Sequence, residues 1–419
     1  MKQPTIELVP LRPAVRSDAP TVLDVLIRIT PPVSETVAVR PALNLGLVMD
    51  RSGSMAGQNK IGFAKEAAAF AVKELLPTDR VSLTIFDDNV ETLAANAPVS
   101  DRARLLQLVE RVRPGGSTAL HGGWQEGAKQ VGDNLVAGGL NRVLLLSDGL
   151  ANVGEARPDA IATDVHARLQ TGVSTTALGL GNEYNEDLLE AMARSGDGNY
   201  YYVESPRQLA AIFRAEMSGL TATVGTDVLL SLEAGPGATI ADVLNDLDRD
   251  TGGRCKLPNL VSGFPVLIVA RVEIPNATGE QRVLAVKLEW AAPGEAAKAA
   301  RGAGLTLPAV PSGGWATLAP DLDVQERAAL LTVSRLKKRA TSELDRHNPA
   351  EARRLLAEAR TLLGTVPQTA EVGLEIQSVA EIDAQIERGD FSGSSKRAKY
   401  DAYNMRHSKP RYTPPADPA

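Results

Sequence analysis

At 419 residues the chain has material for two or three domains and a sizeable buried core, which excludes a peptide or a disulfide miniprotein. Apolar residues make up 43% and charged residues 23%, near the averages for soluble globular proteins, while an aromatic share of 4% leaves the cores to aliphatic side chains. A single cysteine, Cys255, and four scattered histidines exclude an internal disulfide and a Cys/His zinc cluster, and a net charge of −6 argues against generic binding to DNA or anionic membrane.

The opening MKQPTIELVP lacks a basic start followed by an apolar core, and no stretch approaches the ~20 apolar residues that span a bilayer. A soluble cytoplasmic protein is the resulting expectation. Residues 5–30 hold two alternating runs, IELVPL and TVLDVLIRI, around the turn-like RSDAP, and this period of two predicts strands. The apolar run ALNLGLVMD, ending at Asp50, predicts a strand covered on both faces. From there to about Gly219 helix-like and strand-like stretches alternate. Helices are predicted over 60–76, 101–112, 120–136, from near Pro158, and over 185–194 and 205–218; strands are predicted over 80–86, 142–146, 173–180 and 200–203. This is the pattern of a doubly wound α/β domain, whose ligands sit at the carboxyl ends of the strands.

After Gly219 the runs TDVLLSLEAG, PVLIVARVEIP and QRVLAVKLEW predict strands, and together with the N-terminal pair they suggest a β-sandwich with the α/β domain inserted in it. The Ala/Gly-rich segment 291–304 reads as a loop or weak helix. From Leu322 the pattern turns helical: one helix to about His347, a second from the N-cap and first-turn pair Asn348-Pro349, and a third carrying Val372, Ile376, Val379, Ile382 and Ile386 on one stripe. The last ~30 residues, rich in Ser, Lys, Arg and Pro, read as a tail with little reason to pack. The expected organisation is thus N-terminal sandwich strands over 1–41, the α/β domain over 42–220, the rest of the sandwich over 221–320, a helical region over 321–390 and a basic flexible tail over 391–419.

Three loops carry the chemistry. Asp50-Arg51-Ser52-Gly53-Ser54 follows an apolar strand and sets a carboxylate and two hydroxyls at alternating positions. Gly115-Gly116-Ser117-Thr118 is glycine-rich and ends in hydroxyls before a helix, and Ser147-Asp148-Gly149 ends another strand in a carboxylate. In a parallel sheet all three can emerge on one edge, so Asp50, Ser52, Ser54, Thr118 and Asp148 can converge. A set of hard oxygen donors without nitrogen or sulfur favours Mg²⁺, with Mn²⁺ or Ca²⁺ as substitutes, and two carboxylates leave room for water or an acidic side chain of another protein on the ion.

These residues resemble the metal-ion-dependent adhesion site (MIDAS) of von Willebrand factor type A (VWA) domains of bacterial type, in the same order and at comparable loop positions. The resemblance covers about residues 42–220. It implies a Rossmann-like fold, with Ser52, Ser54 and Thr118 binding the metal directly or by rearrangement and Asp50 and Asp148 acting largely through waters. The family pattern favours Thr118 over Ser117 as the hydroxyl ligand. The overall plan is similar to inter-α-trypsin-inhibitor heavy chains and the Sec23/Sec24 coat proteins.

Other features read more simply as structure. Asp87-Asp88-Asn89 is an ordinary turn, His121 a surface or helix-start residue, and Cys255 a structural thiol. Gly179-Leu180-Gly181 lacks the remainder of a dinucleotide fingerprint. The tail residues Lys396, Arg397, Lys399, Arg406, Lys409 and Arg411 alternate with Tyr400, Tyr403 and Tyr412, a composition that can take RNA or an acidic partner but more simply stays solvated. The leading expectation is a non-enzymatic, metal-dependent protein-binding module or scaffold. One alternative makes the metal structural and gives partner binding to the C-terminal helices and tail. A remote alternative is a haloacid-dehalogenase-like phosphatase, but its Asp-x-Asp nucleophile motif meets Asp50-x-Ser52 here.

Overall fold

The computed structural model describes residues 3–33, 41–181, 183–203, 208–293, 295 and 297–409. The expected helix start at Ser205 and the tail positions Arg411 and Tyr412 lie outside the described residues. The chain divides into two compact units, one spanning Thr36–Thr223 and the other formed mainly by the segments before and after it.

The chain opens with β1 (Thr5–Pro10), β2 (Val15–Arg16) and β3 (Thr21–Thr30) of the composite unit. The α/β unit follows as β4 (Leu43–Asp50), a 3-10 turn (Gly53–Asn59), α1 (Lys60–Glu74), β5 (Arg80–Phe86), β6 (Val90–Pro98), α2 (Arg102–Arg111), α3 (Leu120–Gly132) and β7 (Leu140–Ser147). It continues through α4 (Pro158–Gln170), β8 (Ser174–Leu180), α5 (Glu186–Ser195), β9 (Tyr200–Val203) and α6 (Leu209–Thr221). The strands form one sheet in the order β6-β5-β4-β7-β8-β9, parallel except for β6. This is the doubly wound, Rossmann-like α/β fold that the alternation predicts. The edge strand β6 is an addition, since its mostly exposed sequence VETLAANAP carries little apolar pattern.

Every residue of β4 is buried, and its two faces meet different helices. Leu43, Leu45, Leu47 and Met49 join the alanines 64, 67, 68 and 71 of α1 and Ile212 and Phe213 of α6 in one core. On the other face α3 lies so close that a Cβ on its Gly127 would overlap Val48. Because β5 and β7 flank β4 on opposite sides, the chain reverses its winding there, and the crevice beyond the carboxyl end of β4 is the expected ligand position.

The composite unit resumes with β10 (Thr223–Ala234), β11 (Thr239–Val243), β12 (Cys255–Lys256), β13 (Leu260–Val261), β14 (Val266–Ile274), β15 (Glu280–Ala291) and β16 (Lys298–Val310). One sheet runs β1-β3-β14-β11 and the other β12-β10-β15-β16-β2, with β13 paired to β10. Val25, Ile27 and Ile29 of β3 share a core with Leu230 of β10 and Val286 and Leu288 of β15. The segment 291–304 is mostly strand, not loop or weak helix: β16 pairs with β15 from Ala291↔Lys298 to Glu280↔Pro308. Its small residues have low strand propensity, and a long ladder partner overrides it.

The helices are α7 (Ser312–Thr317), α8 (Leu322–Asp345), α9 (Pro349–Leu363), α10 (Ala370–Glu387) and α11 (Phe391–Arg406). The last four start at side-chain caps from Asp321, Asn348, Thr369 and Asp390. Leu331 and Leu355 share a core with Leu26 of β3 and Val269 of β14. The tail expectation fails over 391–406. That segment is α11, and partners meet several of its charged residues: Lys337 of α8 lies 2.6 Å from Glu375 and 3.0 Å from Asp401, and the half-buried Arg397 pairs with Glu381 at 2.6 Å. Among the described residues no helix is long and apolar enough to cross a membrane.

Candidate metal centre

β4 ends at Asp50, opposite Phe86 of β5, and β7 ends one residue before Asp148. Both carboxylates therefore leave the sheet at its carboxyl edge, at the point where the winding reverses. Neither has any exposed surface. Ser52 stands at the N-cap of the 3-10 turn, yet its hydroxyl makes no cap bond; it lies 3.1 Å from Ser54 Oγ. Ser54 Oγ in turn donates to Asp148 Oδ1 at 2.7 Å. Thr118 is buried, and its Oγ1 lies 3.1 Å from the point where a Cβ on Gly149 would stand, with Ser54 Oγ 3.6 Å from the same point. A glycine after Asp148 thus leaves open the space that the hydroxyls face. Ser117, by contrast, is exposed and its amide donates to Asp88 Oδ1, so of the two hydroxyls it is Thr118 that joins the cluster.

The loops are tied to one another by backbone. Gly53 N–H donates to Gly116 O at 2.9 Å and Gly115 N–H to Arg51 O at 2.7 Å. Gly116 has φ +72°, and a side chain there would also press on Asp87. Asp87 does more than close its turn: it pairs with Arg51 at 2.8 Å, and its carbonyl accepts from Ala119 N–H at 2.8 Å. Asn152 holds the Thr118 amide at 2.8 Å.

Asp50 Oδ1 accepts from the Ser52 amide at 2.7 Å and Oδ2 from Ser147 Oγ at 2.6 Å. Burial nevertheless dominates and pushes its carboxyl up to about 6, against those hydrogen bonds. Asp148 has a cationic partner that the motif does not include: Lys60 Nζ, at the start of α1, donates to its Oδ2 at 2.6 Å. Lys60, Ser147 and Asn152 are absent from the expected site. Local sequence gives no sign of the first, since 88 residues separate Lys60 from Asp148.

Among the described residues no group of three or more His, Cys, Asp and Glu side chains is placed to hold a metal ion. The chemistry rests instead on two carboxylates and three hydroxyls. The donors that meet here are oxygens alone, the ligand type that Mg²⁺ and Ca²⁺ prefer. The donor set therefore fits a hard divalent cation.

Other candidate residues are structural. His121 is the second residue of α3, a helix-start position, but it is buried and not on the surface: it stacks on Trp124 with ring centroids 5.9 Å apart and bonds Asp164 at 3.0 Å. Cys255 is buried and its thiol is raised, chiefly by desolvation. Gly179 leaves room for the Tyr184 ring, and Gly181 makes a turn at φ +75°.

The family model for the von Willebrand factor type A domain matches residues 44–215. YfbK of Escherichia coli (strain K12) is 29% identical over 227 residues, covering 54% of this chain and 39% of that protein. The protein sll0103 of Synechocystis is 32% identical over 212 residues, 49% of this chain and 48% of its own, and inter-alpha-trypsin inhibitor heavy chain H3 of Rattus norvegicus is 25% identical over 239 residues, 55% and 25%. The chain thus spans less than half the length of these curated relatives. Among solved structures, a von Willebrand factor type A protein from Catenulispora acidiphila shares the fold over 96% of this chain and 97% of its own, with a TM-score of 0.70 at 17% identity. The ArnB paralog VWA2 from Sulfolobus acidocaldarius does so over 97% and 99%, with a TM-score of 0.64 at 17% identity. Domains of this family usually mediate protein–protein interaction and commonly bind a divalent metal. Strand order, residue pattern and family match agree that residues 44–215 form a von Willebrand factor type A domain.

Proposed function

We propose that Asp50, Ser52, Ser54, Thr118 and Asp148 form a MIDAS that holds a divalent cation, Mg²⁺ with Mn²⁺ or Ca²⁺ as substitutes, and that the ion captures an acidic side chain of a partner protein. The chain then acts as a metal-dependent binding module or scaffold and not as an enzyme. The observation that carries this reading is the meeting of three oxygen-bearing loops at one point of the sheet edge, where Ser54 Oγ lies 3.1 Å from Ser52 Oγ and 2.7 Å from Asp148 Oδ1 and faces the same point over Gly149 as Thr118 Oγ1. Two carboxylates only balance the ion, so positions occupied by water remain exchangeable for a partner carboxylate. Mg²⁺-dependent retention of partners on immobilised protein, lost with chelator and in Asp50→Ala, is the expected result; equal retention in all three conditions contradicts it.

The rival assignment of partner binding to the C-terminal helices and tail loses support in its tail part, over the described residues. Lys396 and Arg406 are buried, and Arg397 is paired with Glu381. A phosphatase reading lacks the second aspartate of its Asp-x-Asp motif, since the residue two positions after Asp50 is Ser52.

A further inference from the structure

Lys60 is required neither by a metal site nor by a helix start. It opens α1 with a buried side chain, and its ammonium bonds the edge of Asp148 opposite to the one that Ser54 uses, Oδ2 at 2.6 Å against Oδ1 at 2.7 Å. Glu183 stands further off, at 3.9 Å, and is exposed. Arg51, the other cation of the motif loop, is matched by Asp87 at 2.8 Å. The backbone that delivers Lys60 is strained. Gln58 and Asn59, the two residues before it, both lie in the left-handed region at φ 50° and 55°, and Asn59 makes no cap bond with its side chain. Such conformations in residues other than glycine cost energy and gather where function needs them.

We propose that Lys60 is a fixed counter-charge that weakens the centre's hold on its cation and strengthens the loaded centre's hold on a carboxylate. The inference rests on the metal-centre reading above. Asp50 and Asp148 alone would neutralise a divalent ion and leave no charge to draw in an anion. With Lys60 against Asp148 the loaded centre keeps one net positive charge, in a buried setting where charge is poorly screened. Before the ion binds, the same ammonium keeps a fully buried carboxylate from standing unpaired.

The test uses the full chain as wild type, Lys60→Met and, as a second variant, Lys60→Gln, with folding verified by circular dichroism. Mn²⁺ affinity is read from the electron paramagnetic resonance of the free ion. Acetate affinity of the Mn²⁺-loaded protein is read from the loss of water-proton relaxation. Both variants should bind Mn²⁺ about tenfold more tightly and acetate about tenfold more weakly than wild type. A group that only holds Asp148 in place would lower both affinities together, and any pairing other than the opposite signs overturns the proposal. Absence of saturable Mn²⁺ binding by wild type overturns the metal-centre reading, and the proposal with it.

Discussion

Under the proposed metal binding, Asp50 links the protonation state of the domain to the cation. Burial raises its carboxyl from 3.8 to about 6, so the folded, metal-free chain holds the proton more tightly than the unfolded chain. The resulting stabilisation is fully present below about pH 3.8 and is lost as the pH rises through about 6. A cation must displace the same proton. Mn²⁺ affinity should therefore fall about tenfold per pH unit below 6 and level off above it, and a flat profile between pH 5 and 8 contradicts this role. Gly149 is the complementary steric probe. A Cβ there would stand 3.1 Å from Thr118 Oγ1, so Gly149→Ala should lower Mn²⁺ affinity about 10–100-fold while the melting temperature moves by only a few degrees. An unchanged affinity would show that the hydroxyls do not line the ion's position. The convergence of Asp50, Ser52, Ser54, Thr118 and Asp148 was legible in sequence because each stands at or next to a strand or helix end. Lys60 was not, because its partner is brought to it only by the closing of the sheet.

Secondary elements separate along the same line between local pattern and distant pairing. The strands β4, β5, β7 and β8 are buried over nearly their whole length and carry enough aliphatic residues to be read directly. β6 and β16 could not, since exposed or small residues carry no period and only the neighbouring strand holds them extended. α11 was hidden for a different reason. Its composition is largely polar, and charge pairing across helices helps to bury it: Lys337 lies between Glu375 and Asp401, with Ser378 donating to Asp401 as well. Removing the cation from such a cluster strands two buried carboxylates. Lys337→Met should therefore cost about 3–5 kcal/mol in denaturant unfolding of the full chain, and a loss under about 1 kcal/mol would show that α11 is held by its few apolar contacts alone.

For the molecule as a whole, the curated relatives and the solved structures cover different extents. The former align over about half of this chain, whereas two solved structures share its fold over 96–97% at 17% identity. The α/β unit has its own sheet and its own apolar core, so residues 36–223 produced alone should unfold cooperatively and keep their cation affinity; a non-cooperative melt would show that this core is insufficient. The central claim is that the three loops hold a divalent ion. It is tested most directly by calorimetric titration of Mg²⁺ into the full chain, compared with Asp50→Ala and Ser54→Ala proteins that remain folded. One saturable site per chain in wild type, lost in both variants, is the predicted result. No saturable binding in wild type, or undiminished binding in the variants, would contradict it.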